Sequence, residues 1–316
     1  MSPIDSSVGQ NPTLALELDG MVLRHNHSFA VGIAVLLLFL ISVSGSAVHA
    51  EGVQDRGYRI GLTPVMLIDR TSFLKDWQHY FEARLGVSVS FIQRQTYREV
   101  VDLLLAGELD AAWLCGYPYV VHRQEVELLS VPLFHGEPIY QSYLIVPAGD
   151  KQTQSLLDLK QKVFAYSDPD SNSGYLFPQV RLINEGIQPR HFFAKSFFTW
   201  SHREVVKAVA EGVAHGGAVD GYVWETLALN EPELTQRTRV VAKSPSFGFP
   251  PLVVKQHLDA SRVKRLRQAF LGMADDEEGS MLLKKLNLDG FVRGNDGLFD
   301  SIADSVRILE ASGETR

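Results

Sequence analysis

Short apolar or alternating segments follow longer segments whose apolar residues recur every three or four positions. The segment 73–85 has apolar residues at helical spacing and is followed by Gly86, a common helix stop. The segment 87–91 instead alternates between apolar and polar residues, as a half-buried strand does. The same reasoning predicts further strands at 58–62 and 110–114 and a second helix at 96–106. Strands separated by helices of this length indicate βαβ units and a largely parallel sheet.

Two similar hexapeptides each predict the beginning of a helix. They are 96–101 (TYREVV) and 201–206 (SHREVV), and the first and fourth residues of each match a capping pair. Each helix is followed by a predicted strand marked by an aspartate, Asp110 in 109–113 and Asp220 in 219–224. Chance similarity is the alternative to two α/β lobes of similar construction, each pointing a helix N-terminus at a shared cleft. Two such N-termini would favour an anion, since each carries unpaired N–H groups and about half a positive charge.

Two stretches rich in helix and strand breakers predict where the chain passes between the lobes. The first is 146–150, which ends an apolar strand at 143–146, and the second is 244–251, which precedes a strand at 252–254. The predicted first lobe is therefore 57–147 plus 245–316, closed by C-terminal helices, and the second lobe is 148–244. Two crossings between lobes form a hinge.

The longest apolar run in the chain, 29–43, predicts a signal peptide. It is shorter than the roughly 20 residues that a membrane-spanning helix needs, and small residues follow it up to Ala50, where we expect cleavage. The region before the run carries three acidic residues and only Arg24, so a true start at Met21 would restore the expected charge. Residues 1–50 are accordingly predicted to be a signal peptide for export to the periplasm, and an uncleaved anchor is the alternative.

Composition and charge narrow the classes of function. The chain has 316 residues, of which 45% are hydrophobic and 21% charged, as is usual for a globular protein, and a net charge of −7 argues against nucleic acid as a partner. A single cysteine excludes an intrachain disulfide and a cysteine-rich metal site, and the histidines show no metal-binding spacing. We expect neither a metal nor a cofactor.

The most informative segment is 168–175 (DPDSNSGY), between a predicted strand at 163–166 and a predicted helix at 177–186. Short hydroxyl and amide side chains before a glycine, here Ser171, Asn172 and Ser173, can present donors to one tetrahedral anion. Ordinary helix capping by serine and asparagine is the alternative.

The ordered set Asp-Pro-x-Ser-x-Ser-Gly, then Ser-His before a helix, then Val-Asp before a strand, resembles the periplasmic phosphate, phosphite and phosphonate-binding proteins of ABC transporters. The resemblance spans roughly 58–309. It implies an α/β, type 2 periplasmic binding fold with two lobes, each a mixed sheet flanked by helices, and a two-crossing hinge. The ligand residues that it implies are Tyr97, Tyr117, Ser171, Asn172, Ser173 and His202, with Tyr140, Asp220 and Glu225 as further candidates. The family often has threonine where this chain has Asn172.

Two departures concern an aminoalkylphosphonate ligand. The binders of such ligands have an acidic residue in the segment that resembles 249–251, where this chain has Pro250. Glu225 aligns near the position of a second carboxylate in the binding site of those proteins. This chain has extra residues around 214–217, so the two positions cannot be matched residue for residue. Asp220 is expected to be a structural residue at a strand end rather than a ligand contact.

Cys115 leaves two interpretations open. It is either a small buried apolar residue at a strand end or a thiol in the cleft that binds a thiophile such as arsenite.

The chain has no GxSxG or phosphate-loop motif, and the pair of Ser171 and His202 lacks an oriented third member of a catalytic triad, so we do not expect an enzyme. The predicted function is a monomeric periplasmic receptor that delivers a phosphate-like oxyanion to an ABC permease. A receptor that signals to a membrane histidine kinase is the alternative.

Overall fold

A computed structural model describes residues 56–64 and 71–314. The strands in this part of the chain are β1 (Tyr58–Leu62), β2 (Val89–Gln93), β3 (Ala111–Trp113), β4 (Val126–Leu133), β5 (Ile139–Tyr140), β6 (Ser142–Pro147), β7 (Val163–Tyr166), β8 (Lys195–Phe198), β9 (Gly216–Asp220), β10 (Thr238–Lys243), β11 (Phe247–Gly248), β12 (Leu252–Lys255) and β13 (Gly290–Val292). The α-helices are α1 (Thr71–Leu85), α2 (Tyr97–Leu105), α3 (Gly116–Val121), α4 (Phe177–Asn184), α5 (His202–Ala210), α6 (Gly221–Asn230), α7 (Pro232–Thr235), α8 (Ala260–Leu271), α9 (Glu277–Lys285) and α10 (Asp300–Ala311). The predicted signal peptide lies outside the described residues.

Two mixed sheets organise the described chain. The first has six strands in the order β13-β4-β12-β3-β1-β2, in which β1 is parallel to β2 and β3 while β12 and β13 are antiparallel to their neighbours. The second has five strands in the order β10-β6-β9-β7-β8, in which β7 is parallel to β8 and β9 while β6 is antiparallel to β9 and β10. These sheets confirm the predicted α/β class with a mixed sheet in each half of the molecule.

A two-stranded ladder connects the regions where the chain leaves one sheet for the other. In it, β5 pairs with β11, with Tyr140 opposite Phe247. The prediction placed 142–147 in the first lobe, but β6 pairs with β9 and β10 in the second sheet. By sheet membership the chain therefore crosses near 140–142, and it returns between β10 and β12. Strand pairing thus places the boundary earlier in the chain than the prediction did. The helix and strand breakers at 147–150 mark only the end of β6, not the passage between the two sheets. That the two halves move as lobes stays a prediction.

The predicted helix N-termini are present. Thr96 and Glu99 form a complete capping box at the start of α2, and the Ser201 side chain accepts a hydrogen bond from the Glu204 backbone N–H at the start of α5. Each interaction satisfies N–H groups that a first helical turn leaves without a partner. Most predicted strands also form, although the strand predicted at 87–91 lies two residues later, at Val89–Gln93.

The predicted equivalence of Asp110 and Asp220 is wrong. Asp110, predicted within a strand, lies immediately before β3, and its carboxylate pairs with Arg262 and with the Arg59 backbone N–H. Asp220 instead ends β9, and the segment predicted as a strand at 219–224 turns into helix α6 at Gly221. The Asp220 side-chain carboxyl caps that helix, because its oxygen accepts from the N–H groups of Tyr222 and Val223. Capping chemistry therefore decides the local structure where the apolar pattern alone was ambiguous.

Among the described residues, no helix combines the length and the apolar character required to cross a bilayer.

The core under the first sheet is rich in aromatic rings that surround Trp77, which is fully buried. Its ring stacks on Phe91 with centroids 4.5 Å apart and also contacts Trp113 and Phe270.

We expect Trp77→Ala to lower the free energy of unfolding by about 3–5 kcal/mol, because it removes the central ring of this cluster and leaves a cavity. Leu229→Ala is the control, since Leu229 is 69% exposed, and its effect should stay within about 0.5 kcal/mol. Urea denaturation of both variants measures the difference. Equal losses in the two variants would contradict the packing described here.

Candidate ligand-binding site

The segment between β7 and α4 has a local conformation that its sequence explains. A single π-helical turn, Asn172–Leu176, precedes α4, and the Leu176 N–H donates to the Ser171 carbonyl five residues earlier. Such turns often occur at functional sites. The Ser171 hydroxyl caps the turn by accepting from the Gly174 N–H at 3.0 Å. A Cβ at Gly174 would lie 1.9 Å from the Ser167 Oγ, so the close approach of these two residues requires glycine.

Polar side chains are buried here without hydrogen-bond partners in the protein. Ser171, Asn172 and Ser173 are at most 1% exposed. The unpartnered atoms include Asn172 Oδ1, Ser173 Oγ and the hydroxyl oxygen of Tyr97. An unsatisfied buried polar group costs roughly 1–3 kcal/mol. Several of them at one place are typical of a site that binds a polar ligand.

Tyr97 contributes to this cluster from the half of the molecule that contains the first, six-stranded sheet. It is the first residue of α2 and is fully buried, which raises the pKa of its hydroxyl. The groups whose charge would raise this pKa further are Cys115, Asp168, Asp220 and Tyr140. These groups therefore lie within electrostatic reach of the Tyr97 hydroxyl. Tyr117, on α3, is also buried, at 3% exposure.

His202 faces the cluster as a neutral donor. Burial lowers its pKa to about 3. Its Nδ1 accepts a hydrogen bond from the Asp220 N–H at 3.1 Å, so the neutral ring carries its proton on Nε2. That Nε2 lies 3.5 Å from the Ser171 Oγ, which is long for a hydrogen bond. The Nε2–H can therefore be directed to another acceptor near Ser171.

Asp220 contributes a carboxyl group whose protonation also depends on burial. It is 1% exposed, and burial raises its pKa to about 8, while the N–H groups of Val223 and Tyr222 oppose that shift. The neutral carboxyl therefore prevails at neutral pH. The expectation that Asp220 is a structural residue at a strand end agrees with its position at the end of β9.

Asn172 is held by contacts with residues outside its own segment. Its backbone N–H donates to the Cys115 Sγ at 3.3 Å, and its Nδ2 donates to the Tyr140 hydroxyl at 3.0 Å. Burial raises the pKa of the Cys115 thiol to about 12, so the thiol stays protonated at neutral pH. Cys115 is thus buried near a strand end, as one interpretation predicted, and its Sγ also contacts the Asn172 N–H.

Glu225 stands apart from the buried cluster. Its carboxylate accepts from the Tyr143 hydroxyl and contacts the His135 Nε2 at 3.1 Å, and its side chain is 29% exposed. The segment around Pro250 presents no carboxylate either; the Pro250 carbonyl accepts from the Trp113 indole N–H at 2.8 Å. Neither position thus offers a carboxylate to the cluster.

Two aspartates that the sequence analysis left without a role connect the 168–175 segment to α2. The Asp168 carboxylate accepts from the Tyr97 backbone N–H at 3.2 Å, and Asp170 forms a two-bond ion pair with Arg98 at 3.0 Å. The first N–H group of α2, expected to face an anion, is therefore paired with a carboxylate of this chain. No local sequence pattern indicates these contacts, because the partners lie 71 and 72 residues apart in the chain.

The charges of the site are unusual for an anion-binding surface. No lysine or arginine is buried anywhere in the described ranges, and the side chain of Arg98 is 51% exposed. The available groups are hydroxyls, an amide, a neutral imidazole and a carboxyl with a raised pKa. Within 56–64 and 71–314, no three histidine, cysteine or acidic side chains are arranged to hold a metal ion.

Comparisons of the sequence identify related proteins. A family model described as "ABC transporter, phosphonate, periplasmic substrate-binding protein" matches residues 60–299. The phosphate-import protein PhnD of Mycolicibacterium smegmatis is 25% identical over 87% of this chain and 88% of its own length. The phosphonates-binding periplasmic protein of Escherichia coli is 24% identical over 86% of this chain and 82% of its own length.

Solved structures show the same fold. A binding protein component of an ABC phosphonate transporter from Pseudomonas aeruginosa superposes with a TM-score of 0.72 at 23% identity, covering 79% of this chain and 85% of its own. PhnD1 from Prochlorococcus marinus, solved with methylphosphonate, gives 0.71 at 20% identity, covering 81% of this chain and 98% of its own. These similarities confirm the predicted type 2 periplasmic binding fold.

The pKa of Asp220 predicts a pH-dependent stability difference between the protein and Asp220→Asn. In the unfolded chain this carboxyl has a pKa near the ordinary 3.8, against about 8 when folded. Its stabilising contribution is therefore complete below about pH 4 and is lost as pH rises towards 8. Asparagine keeps the cap but does not titrate, so stability should shift in its favour by up to about 1.4 kcal/mol per pH unit across this range.

Urea denaturation at several pH values between about 4 and 8 measures this difference. Asp168→Asn provides a comparison with a second buried carboxyl, because burial raises the pKa of Asp168 only to about 6. The stability difference between Asp168→Asn and the unsubstituted protein should therefore stop changing at a lower pH, near 6. A difference between Asp220→Asn and the unsubstituted protein that does not change with pH would contradict the neutral carboxyl.

Proposed function

The chain belongs to the periplasmic substrate-binding proteins of phosphonate ABC transporters, and from that premise we propose that it binds a phosphate-like oxyanion and delivers it to an ABC importer. The relatives' names refer to phosphate, phosphonates and, for a Prochlorococcus protein, phosphite. All are tetrahedral oxyanions of phosphorus. Export of this chain to the periplasm is part of the proposal.

The observation that carries the proposal is the set of buried donors without protein partners. The Tyr97 hydroxyl has no internal hydrogen bond, and the Ser173 hydroxyl lies near the Tyr140 hydroxyl without a hydrogen bond of good geometry. The His202 Nε2–H faces the same cluster. A tetrahedral anion bound among them would accept these hydrogen bonds and remove the cost of leaving the donors unpaired. The cluster draws on both halves of the molecule, because Tyr97 begins α2 while Ser173 and His202 belong to the second half.

The proposed ligand carries no ammonium group. Glu225 is engaged by Tyr143 and His135, and the segment with Pro250 supplies no carboxylate. A zwitterionic aminophosphonate would leave its cation without an acidic partner at either position. We therefore propose phosphate, phosphite or a simple phosphonate as the ligand. An importer is favoured over a sensor kinase because the matching family is that of ABC transporters.

We expect Ser173→Ala to weaken oxyanion binding about ten- to a hundredfold. The substitution removes one hydroxyl donor to a charged ligand, worth roughly 1.5–3 kcal/mol. The free energy of unfolding should change little, since this hydroxyl has no protein partner. Isothermal titration calorimetry with phosphate, phosphite and methylphosphonate measures the affinities.

Ser130→Ala is a matched control for this substitution. Ser130 is also fully buried with an unpartnered hydroxyl, but it lies on β4 of the first sheet. Its loss should leave the affinity unchanged. The assignment fails if Ser173→Ala binds every one of the three anions as the unsubstituted protein does, or if none of them binds to either protein.

A closing motion is expected because the site residues are too buried for a ligand to enter. Contacts across the cleft, including the Arg98–Asp170 pair and the Tyr222 hydroxyl that donates to the Leu286 carbonyl, hold this closed arrangement. Ligand binding should favour it over an open state.

Small-angle X-ray scattering should therefore give a smaller radius of gyration with saturating methylphosphonate than without it. Ser173→Ala, measured at an anion concentration that saturates only the unsubstituted protein, should remain larger. An identical radius with and without a saturating ligand would count against two lobes that close.

A further inference from the structure

Asn172 carries an acceptor that the donors of the site leave unsatisfied. The residue is fully buried, its N–H donates to Cys115, and its Nδ2 donates to the Tyr140 hydroxyl. The first contact holds the backbone of Asn172, and the second holds its side-chain amide. Its Oδ1 has no hydrogen-bond partner among the described residues.

The carbonyl oxygen differs in kind from its unpartnered neighbours. The hydroxyls of Tyr97 and Ser173 can donate to an anion, whereas an amide oxygen only accepts. A fully ionised oxyanion beside Asn172 Oδ1 would leave that oxygen unpaired and would repel it. An oxyanion that bears a proton can donate that proton's hydrogen bond to it.

The groups around Asn172 do not supply this donor or a positive charge. The titratable side chains in contact with Asn172 are Cys115 and Tyr140, and Tyr97, Asp168 and Asp220 lie within electrostatic reach of these two. His202 contacts the neighbouring Ser171. None of these side chains donates a hydrogen bond to Asn172 Oδ1. Burial keeps His202 neutral. A doubly charged ligand would thus enter a buried site that contains no cation to compensate for its charge.

We propose that Asn172 Oδ1 accepts a hydrogen bond from a protonated oxygen of the bound oxyanion, so that the site selects the singly charged, hydroxyl-bearing form. The inference rests on the proposed function and adds to it the protonation state of the ligand. Asn172 is then a specificity-determining residue: it favours a P–OH group and disfavours anions without a hydroxyl.

Phosphite and hypophosphite provide the sharpest test. At a pH below the second pKa of phosphorous acid, both anions are singly charged and tetrahedral. They differ in one group, because phosphite carries a P–OH group where hypophosphite carries a second P–H. Calorimetry at such a pH should show phosphite binding to the unsubstituted protein roughly ten- to a hundredfold more tightly, the range expected for satisfying a buried acceptor.

Substitutions then assign that preference to Asn172. Asn172→Leu removes the acceptor at similar volume, so the preference for phosphite should fall to within about threefold. Should this variant fold poorly, Asn172→Thr serves instead, because its hydroxyl can donate or accept and should also reduce the preference. Ser173→Ala is the matched control: it should weaken both anions and leave their affinity ratio unchanged.

The outcomes separate this inference from the proposed function. A phosphite preference that Asn172→Leu and Asn172→Thr leave intact, or equal binding of the two anions by the unsubstituted protein, overturns the role of Asn172 while the oxyanion receptor stands. Sulfate binding as tight as phosphate binding at the same pH also overturns it, because sulfate carries no proton there. If phosphite, phosphate and methylphosphonate all fail to bind, the proposed function itself is wrong.

Discussion

The polar groups of the site are buried without a cationic side chain beside them, and this burial sets their protonation states. The same loss of solvation lowers the pKa of His202 and raises those of Asp220 and Cys115. All three groups are consequently neutral near pH 7. The proposed anion would be held here by oriented hydrogen bonds rather than by opposite charge. Directional bonds distinguish the geometry and protonation of a ligand better than a point charge does.

The fold makes this cluster possible by bringing two distant segments together. The chain leaves the first sheet near β5 and returns near β11, so α2 and α3 on one side face the π-helical turn and α5 on the other. The close approach at Gly174 turns the 171–173 segment inward, and the aspartates of 168–170 attach it to α2. The Arg98 side chain is 51% exposed, so its ion pair with Asp170 contributes little stability. The hydrogen bond from the Tyr97 N–H to Asp168 is buried, and an open cleft would have to break both contacts.

Local chemistry made much of the fold predictable from sequence. The capping pairs at Thr96 and Ser201 identified two helices at their first residues, and hydrophobic periodicity identified the strands beside them. Where the pattern was ambiguous, as at 219–224, the cap formed by Asp220 decided for a helix. Strand pairing also placed β6 in the second sheet, which breakers after its end could not indicate. The contacts of Asp168 and Asp170 with α2 had no local signal, since they depend on the complete tertiary arrangement.

A crystal structure of the protein grown with methylphosphonate would show whether the buried hydroxyls and His202 hold the ligand. We expect one tetrahedral ligand inside the closed cleft, with its oxygens within hydrogen-bonding distance of the Tyr97 hydroxyl, the Ser173 Oγ and the His202 Nε2, and with no lysine or arginine in contact. A ligand bound instead at an exposed position such as Glu225, or held by a cationic side chain, would contradict it.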